Sequence, residues 1–196
     1  GAPRIAGLAT RYIGRQLADF RDGRRGAAAG DAFGAQMVQI AAMLDDTAIG
    51  RLSAYVGAMP EVTAPATLSA NAKAGQAAYA TCAACHGANG EGGAAFDAPR
   101  LAGMSDWYLE RQFAAFAAGR RGVAANDERG AAMRGIAATL AGEQAVRDVI
   151  AHAVSLPGTR TVAGRGGHGG SGQRDGVGAA PGDCAGSASR PCAASH

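Results

Sequence analysis

The segment APRIAGLATRYIGRQLADFRDGRRGAAAGDAFGAQM, Ala2 to Met37, returns 96 positions later as APRLAGMSDWYLERQFAAFAAGRRGVAANDERGAAM, Ala98 to Met133. Without a gap, 24 of the 43 pairs from Ala2/Ala98 to Leu44/Leu140 are identical. Alanine bias inflates such a count. It does not produce the shared Pro3/Pro99, Tyr12/Tyr108, Gln16/Gln112, Arg24/Arg120, Asp31/Asp127 and Met37/Met133. The chain is an internal duplication, so any fold assigned to one copy must serve the other.

Each copy has the same layout. Leu109, Phe113 and Phe116 fall at i, i+4 and i+7, with Ser105 or Asp106 as N-cap and Gly119 just past the end. These are the marks of an amphipathic helix with start and stop signals. Ile13, Leu17 and Phe20 repeat the pattern. A further helix is predicted through Val146, Val149, Ile150 and Ala153, stopped by Pro157, and its partner runs through Ile49, Leu52 and Val56 to Pro60. Between the two helices of each copy we expect a loop ending in Met37 or Met133. The second copy has an additional upstream segment, Ala72 to Thr81, and alanine richness favours helix there and throughout. The expected fold is all-α, in tandem domains: 1–60, a linker at 61–71 containing PEVTAPATLSAN residues, 72–157, and a tail at 158–196.

Charge excludes little and supports little. Nineteen basic against sixteen acidic residues give a net charge of +3, too small to argue for nucleic acid, and no basic run is interleaved with aromatics. No stretch approaches the ~20 apolar residues of a membrane span.

The chemistry is concentrated in Cys82-Ala83-Ala84-Cys85-His86, at the end of the upstream segment. A c-type haem uses two cysteines for thioether bonds and the adjacent histidine for iron, so Cys-x-x-Cys-His is a strong signal. The competing readings are a redox-active disulfide, part of a zinc site, and two incidental cysteines. A thioredoxin-like pair belongs in a βαβ context, and no strand pattern is present. Structural zinc takes four ligands at set spacing, whereas the other cysteines, Cys184 and Cys192, lie in the low-complexity tail. For a sixth iron ligand, methionine raises the reduction potential in electron-transfer haems. Met104 takes the place of Leu8 and reads as core. Met133 takes the place of Met37 and is the ligand candidate, with a packing methionine as the alternative.

The succession of Cys82-Ala83-Ala84-Cys85-His86-Gly87, APRLAG, WYLERQFAAFAAGRRG, the Met133 segment and a closing helix resembles class I cytochromes c. The duplication makes it most similar to their two-domain, di-haem type, over roughly residues 1–157. The resemblance implies a helical fold around haem c, with Cys82 and Cys85 as thioether positions, His86 as proximal and Met133 as distal iron ligand. Pro99 then matches the proline whose carbonyl accepts from the proximal histidine. Leu101 would press on the haem face, and Trp107, Tyr108 or Arg111 would reach a propionate, ordinary packing being the alternative for these four. Family members pair aromatics between their first and last helices. Tyr79 matches the first, but His152 stands where the second is expected, either as a helix-surface or packing histidine or as a rival iron ligand.

The first copy has Met37 but no Cys motif in this sequence. Subtracting the offset puts that motif before residue 1, so the sequence reads as an N-terminally truncated fragment. One covalent haem is expected in this chain and two in a full-length parent, with the truncated copy loosely helical. The resemblance further implies a periplasmic electron carrier rather than an enzyme, served by a reductase or dehydrogenase donor and an oxidase acceptor. The alternatives are a relay subunit of a larger dehydrogenase or terminal oxidase complex, and a five-coordinate haem enzyme or gas sensor. The Arg24-Arg25 and Arg120-Arg121 turns are candidates for steering acidic partners, or else solvated loop arginines. The tail, with His168, Cys184 and Cys192, carries a disorder signature.

Overall fold

The computed structural model describes residues 2–140 and 142–158. Among them are seven α-helices: α1 (Thr10–Arg21), α2 (Ala32–Ala41), α3 (Asp46–Ala58), α4 (Ala72–His86), α5 (Asp106–Ala117), α6 (Glu128–Ala137) and α7 (Glu143–Ser155). The one extended feature is an isolated antiparallel bridge, Gly93 to Ala98. The fold is all-α, and no helix among the described residues is long and apolar enough to cross a membrane. The tail with His168, Cys184 and Cys192 lies outside the described residues.

The duplication is visible helix by helix: α1, α2 and α3 of the first copy correspond to α5, α6 and α7 of the second. The predicted amphipathic helices are α1 and α5, with Phe20 and Phe116 buried on matching turns. The proline-stopped helices are α3 and α7, and each ends one residue before its extended C-cap, Met59 or Leu156.

The expected loop before each methionine spans 22–31 and 118–127, but it ends short of the methionine, which stands on a helix. Asp31 and Asp127 are N-caps whose carboxylates accept from the Gly34 and Gly130 amides at 2.9 and 2.8 Å. Each cap satisfies an otherwise orphaned donor of the first turn. Met37 and Met133 therefore stand on helices α2 and α6, both half-buried. The shared aspartate three residues before a glycine was a signal in both copies, and in α2 Phe33, Met37 and Ile40 also fall at i, i+4 and i+7; only α6, with Met133 and Ile136, is too sparse in apolar residues to show such spacing.

The second copy is built on α4 against α7. The crossing is close because Gly75 lies on the α7 backbone at Asp148 and Val149, leaving no room for a Cβ. Around it Tyr79, Val149 and Ala153 form a buried cluster, with Cys82, Leu101 and Leu156 packed on its margin. Fully burying a side chain such as Val149 contributes about 1.5–3 kcal/mol. In the first copy no described helix corresponds to α4. The equivalent face of α3 is accordingly open: Leu52 is 42% and Tyr55 66% exposed, against 4% for Val149.

The first copy is nevertheless regularly helical, contrary to the sequence-based expectation. Part of its packing is supplied by the other copy. Leu8 and Ile13 are buried together with Met104, and Tyr12, Leu17, Tyr108 and Leu109 pack around them. Met104 is core, as its match to Leu8 implied.

Polar contacts seal this junction. Arg11 and Arg15 of α1 both donate through Nε to the Asp97 carboxylate, at 2.7 and 2.8 Å. The segment between the copies is tied down as well. Asp106, at the start of α5, accepts from the Thr67 amide and hydroxyl, both at 2.6 Å, and from the Leu68 amide at 2.9 Å.

The arginine turns sit in the same junction. Arg24 pairs with Asp19 and Asp22, while Arg25 is 9% exposed and bonded across to Tyr108 and Gln112. Arg121 bonds back to Gln16. The reading of these turns as partner-steering charges is corrected on that account: three of the four guanidiniums are occupied within the protein.

Candidate functional site

Helix α4 delivers the Cys motif in its last turn, with Asn71 capping its start by accepting from the Lys73 and Ala74 amides. Cys82 and Cys85 are one turn apart on the same helix, both half-buried and neither in a disulfide. The chain leaves the helix at Gly87, whose φ of +83° an L side chain rarely adopts. That turn folds the following loop back over the helix end. Gly93 then lies directly on the Cys85 carbonyl, where a Cβ has no space.

His86 is 8% exposed. Its Nδ1 donates to the Pro99 carbonyl at 2.8 Å, because a carbonyl can only accept. Burial pushes the imidazole below its usual pKa, so the ring is neutral at physiological pH. Nδ1 carrying the proton leaves the Nε2 lone pair free to bind a metal, the arrangement in which a hydrogen-bonded partner orients a histidine ligand.

The Cys82 thiol argues against redox catalysis by the cysteine pair. Burial pushes the Cys82 thiol up, whereas a catalytic Cys-x-x-Cys lowers it. Nor is there, among the described residues, a group of three or more His, Cys, Asp and Glu placed to hold a metal ion. A thiol pair beside a neutral, oriented imidazole fits covalent attachment of a haem with histidine on the iron.

The remaining sequence-predicted residues divide. Leu101 packs on the cluster that includes Cys82 and donates its amide to Gly90. Trp107 and Tyr108 meet edge to face at 5.9 Å. The Arg111 guanidinium stacks between the Trp107 ring, at 5.0 Å, and Phe33 of the first copy, at 4.2 Å, while its buried Nε has no acceptor. A donor in that state suits an anionic group such as a porphyrin carboxylate. The Tyr108 hydroxyl oxygen instead accepts from Arg25 Nη2 of the other copy.

His152 lies edge-on to Tyr79, with ring centroids 5.3 Å apart, so it occupies the aromatic's place in the α4–α7 contact. Helix α6, with Met133, packs on α5 and makes no contact with α4 or α7. The protein chain therefore holds the Met133 helix and the His86 helix apart, both leaning on α5 or its neighbours. Sequence reading had not found Asp97, and it had Asp106 only as an N-cap candidate, since their partners are 82 and 86, and 38 and 39, residues away.

Residues 72–157 match the cytochrome c family pattern. The chain is 35% identical over 151 residues to cytochrome c4 of Azotobacter vinelandii, covering 70% of this chain and 69% of that protein. It is 36% identical over 142 residues to the thiosulfate dehydrogenase electron acceptor of Stutzerimonas stutzeri strain A1501, covering 66% of this chain and 62% of that protein. The cytochrome c4 structure from Acidithiobacillus ferrooxidans superposes with a TM-score of 0.67 at 30% identity, over 79% of this chain and 88% of that one. Thiosulfate dehydrogenase TsdBA from Marichromatium purpuratum superposes with a TM-score of 0.65 at 30% identity, over 82% of this chain and 34% of that one. The helical fold, the Cys-x-x-Cys-His turn and this similarity together place the chain in the cytochrome c family of electron-transfer proteins, whose prosthetic group is covalently bound haem c.

Proposed function

We propose that this chain is a periplasmic carrier of single electrons, with one haem c bound through Cys82 and Cys85 and its iron held by His86 and Met133. The observation that carries this reading is the His86–Pro99 hydrogen bond, which presents a neutral, oriented Nε2 beside the two free thiols. When bound, the haem supplies a one-electron Fe(III)/Fe(II) couple. The chain's part is to bury and orient the histidine, keep the cysteines as thiols until they are alkylated, and offer a soft thioether from α6. Met133 is supported by its repeat partner Met37, and by the separate seating of α6 away from α4. His152 is disfavoured as a ligand by its contact with Tyr79. We read residues 1–60 and 72–157 as two related domains joined by 61–71.

The test has two stages. Pyridine haemochrome absorbance per mole of protein should give one haem for this chain, and a value near zero would end the cytochrome reading. Met133→Ala should then abolish the far-red sulfur-to-iron charge-transfer band of the oxidised protein and lower the potential, since thioether ligation favours Fe(II). Survival of the band in Met133→Ala, or its loss in His152→Ala, would remove Met133 from the iron.

A second reading is a relay subunit within a larger oxidoreductase. It is favoured by the similarity to a thiosulfate dehydrogenase electron acceptor and to part of the TsdBA chain. Reduction of this cytochrome by a thiosulfate-oxidising dehydrogenase, faster than by generic reductases, would favour it over a freely diffusing carrier.

A further inference from the structure

The acceptor that orients His86 is a backbone carbonyl, so its position is set by whatever holds its own peptide. One side of the Pro99–Arg100 peptide rests on Gly92, where a Cβ would lie 2.9 Å from the Arg100 amide nitrogen and 3.1 Å from the Pro99 carbonyl carbon. The Leu101 and Ala102 amides that follow donate to the Gly90 carbonyl at 2.9 and 3.1 Å. The Arg100 side chain adds a third hold, and it reaches outside residues 72–157. Its Nη1 forms an ion pair with Glu61 Oε2, in the segment between the copies, and its guanidinium lies against Gly158. Glu61 in turn lies on the first copy: its Cγ fills the space that a Cβ on Gly7 would need.

Stability is a poor account of this pair. The Arg100 side chain is 16% exposed and that of Glu61 54%, so the arginine carries the cost of burial. Its buried Nε has no acceptor among the described residues, and burial pulls the guanidinium below its usual pKa. An exposed carboxylate returns little to an ion pair, because solvent screens it, while desolvating the cation is expensive. Nor does the repeat impose the arrangement, since Arg4, at the same position in the first copy, is exposed.

We propose that Glu61 and Arg100 are positioning residues for the electron-transfer centre: the pair braces the Pro99 peptide against the first copy and thereby fixes the strength of the hydrogen bond that His86 donates. The inference rests on the haem reading above, in which His86 holds iron. A stronger bond from Nδ1 makes the imidazole a more basic ligand, and a more basic ligand favours Fe(III) and lowers the potential. Loosening the brace therefore raises the potential. A carboxylate outside the second copy, at the point where the segment between the copies begins, thus helps to set the potential of the haem within it.

The test uses the haem-loaded full chain and replaces both residues at once, Glu61→Gln with Arg100→Gln. One charge of each sign is removed, so the net charge around the haem is unchanged and cannot account for a shift. The double variant should raise the reduction potential and speed the solvent exchange of the His86 Nδ1 proton, read by NMR of the reduced protein. Arg100→Lys keeps the ion pair and should retain most of the wild-type behaviour in both. A double variant in which either the potential or the proton exchange stays at wild type overturns the proposal, whatever its unfolding midpoint, because a merely stabilising pair moves the midpoint alone. An Arg100→Lys shift as large as that of the double variant also overturns it. If the double variant does not fold, Glu61→Gln decides, at an exposed position: unchanged exchange of the Nδ1 proton overturns the proposal, and faster exchange sustains it. A haem content near zero is read separately and condemns the haem reading instead.

Discussion

Gly75 of α4 touches the backbone of α7 at Asp148 so closely that any side chain at this position would overlap the Asp148 carbonyl. Alanine there would raise helix propensity by about 1 kcal/mol, yet overpacking a close crossing costs about 1–3 kcal/mol. The second term wins, since backbone on both sides cannot rotate away as a side chain can. Gly75→Ala should therefore lower the denaturant midpoint. An unchanged midpoint would mean the helices cross further apart than this.

Asp97 holds the first copy through Arg11 and Arg15 while its own φ is +52°. Asparagine tolerates that conformation about as well as aspartate, so Asp97→Asn isolates the charge. Burial pushes the Asp97 carboxyl up, but hydrogen bonds from Arg11 and Arg15 outweigh this and leave it below its usual value. A depressed folded pKa stabilises fully above the unfolded pKa, about 3.9, and the contribution fades as pH falls through the lower folded value. At pH 7 the variant should be less stable by about 1–2 kcal/mol, and the two unfolding curves should converge below about pH 4. A gap that persists in acid would rule out the charge as its source.

Asp106 anchors the segment between the copies. Asp106→Ala removes the acceptor of the part-buried Thr67 and Leu68 amide bonds at once, and each lost hydrogen bond costs about 0.5–1.5 kcal/mol. The cost falls on local order before global stability, because this segment contributes no helix. Limited proteolysis should cut between residues 60 and 71 markedly faster in the variant, with α5 itself protected. Equal cutting rates would mean the segment is held by other contacts.

The periodic information in the chain was legible because it is local. Leu109, Phe113 and Phe116 declare α5 by their spacing, Pro60 and Pro157 mark where α3 and α7 stop, and the 96-residue offset made Met104 core and paired Met133 with Met37. The Cys82–His86 turn needed no tertiary information either, since its three side chains lie within one helical turn. Helix α6 is hidden because only Met133 and Ile136 of its residues are large and apolar, so its start rests on a single aspartate cap, whereas α2 does carry a repeating face in Phe33, Met37 and Ile40.

What no spacing within a helix could reveal is the junction of the copies. Arg25, Gln112 and Arg121 look like loop and surface residues until bonds spanning 83 to 105 positions bring them together with Tyr108. The same is true of Asp97, an aspartate in a glycine-rich loop whose value depends on two arginines of α1. A guanidinium at a turn is solvated or buried according to what packs against that turn. In this protein the packing partner is the other copy of the same sequence, and only the folded chain brings that copy within reach.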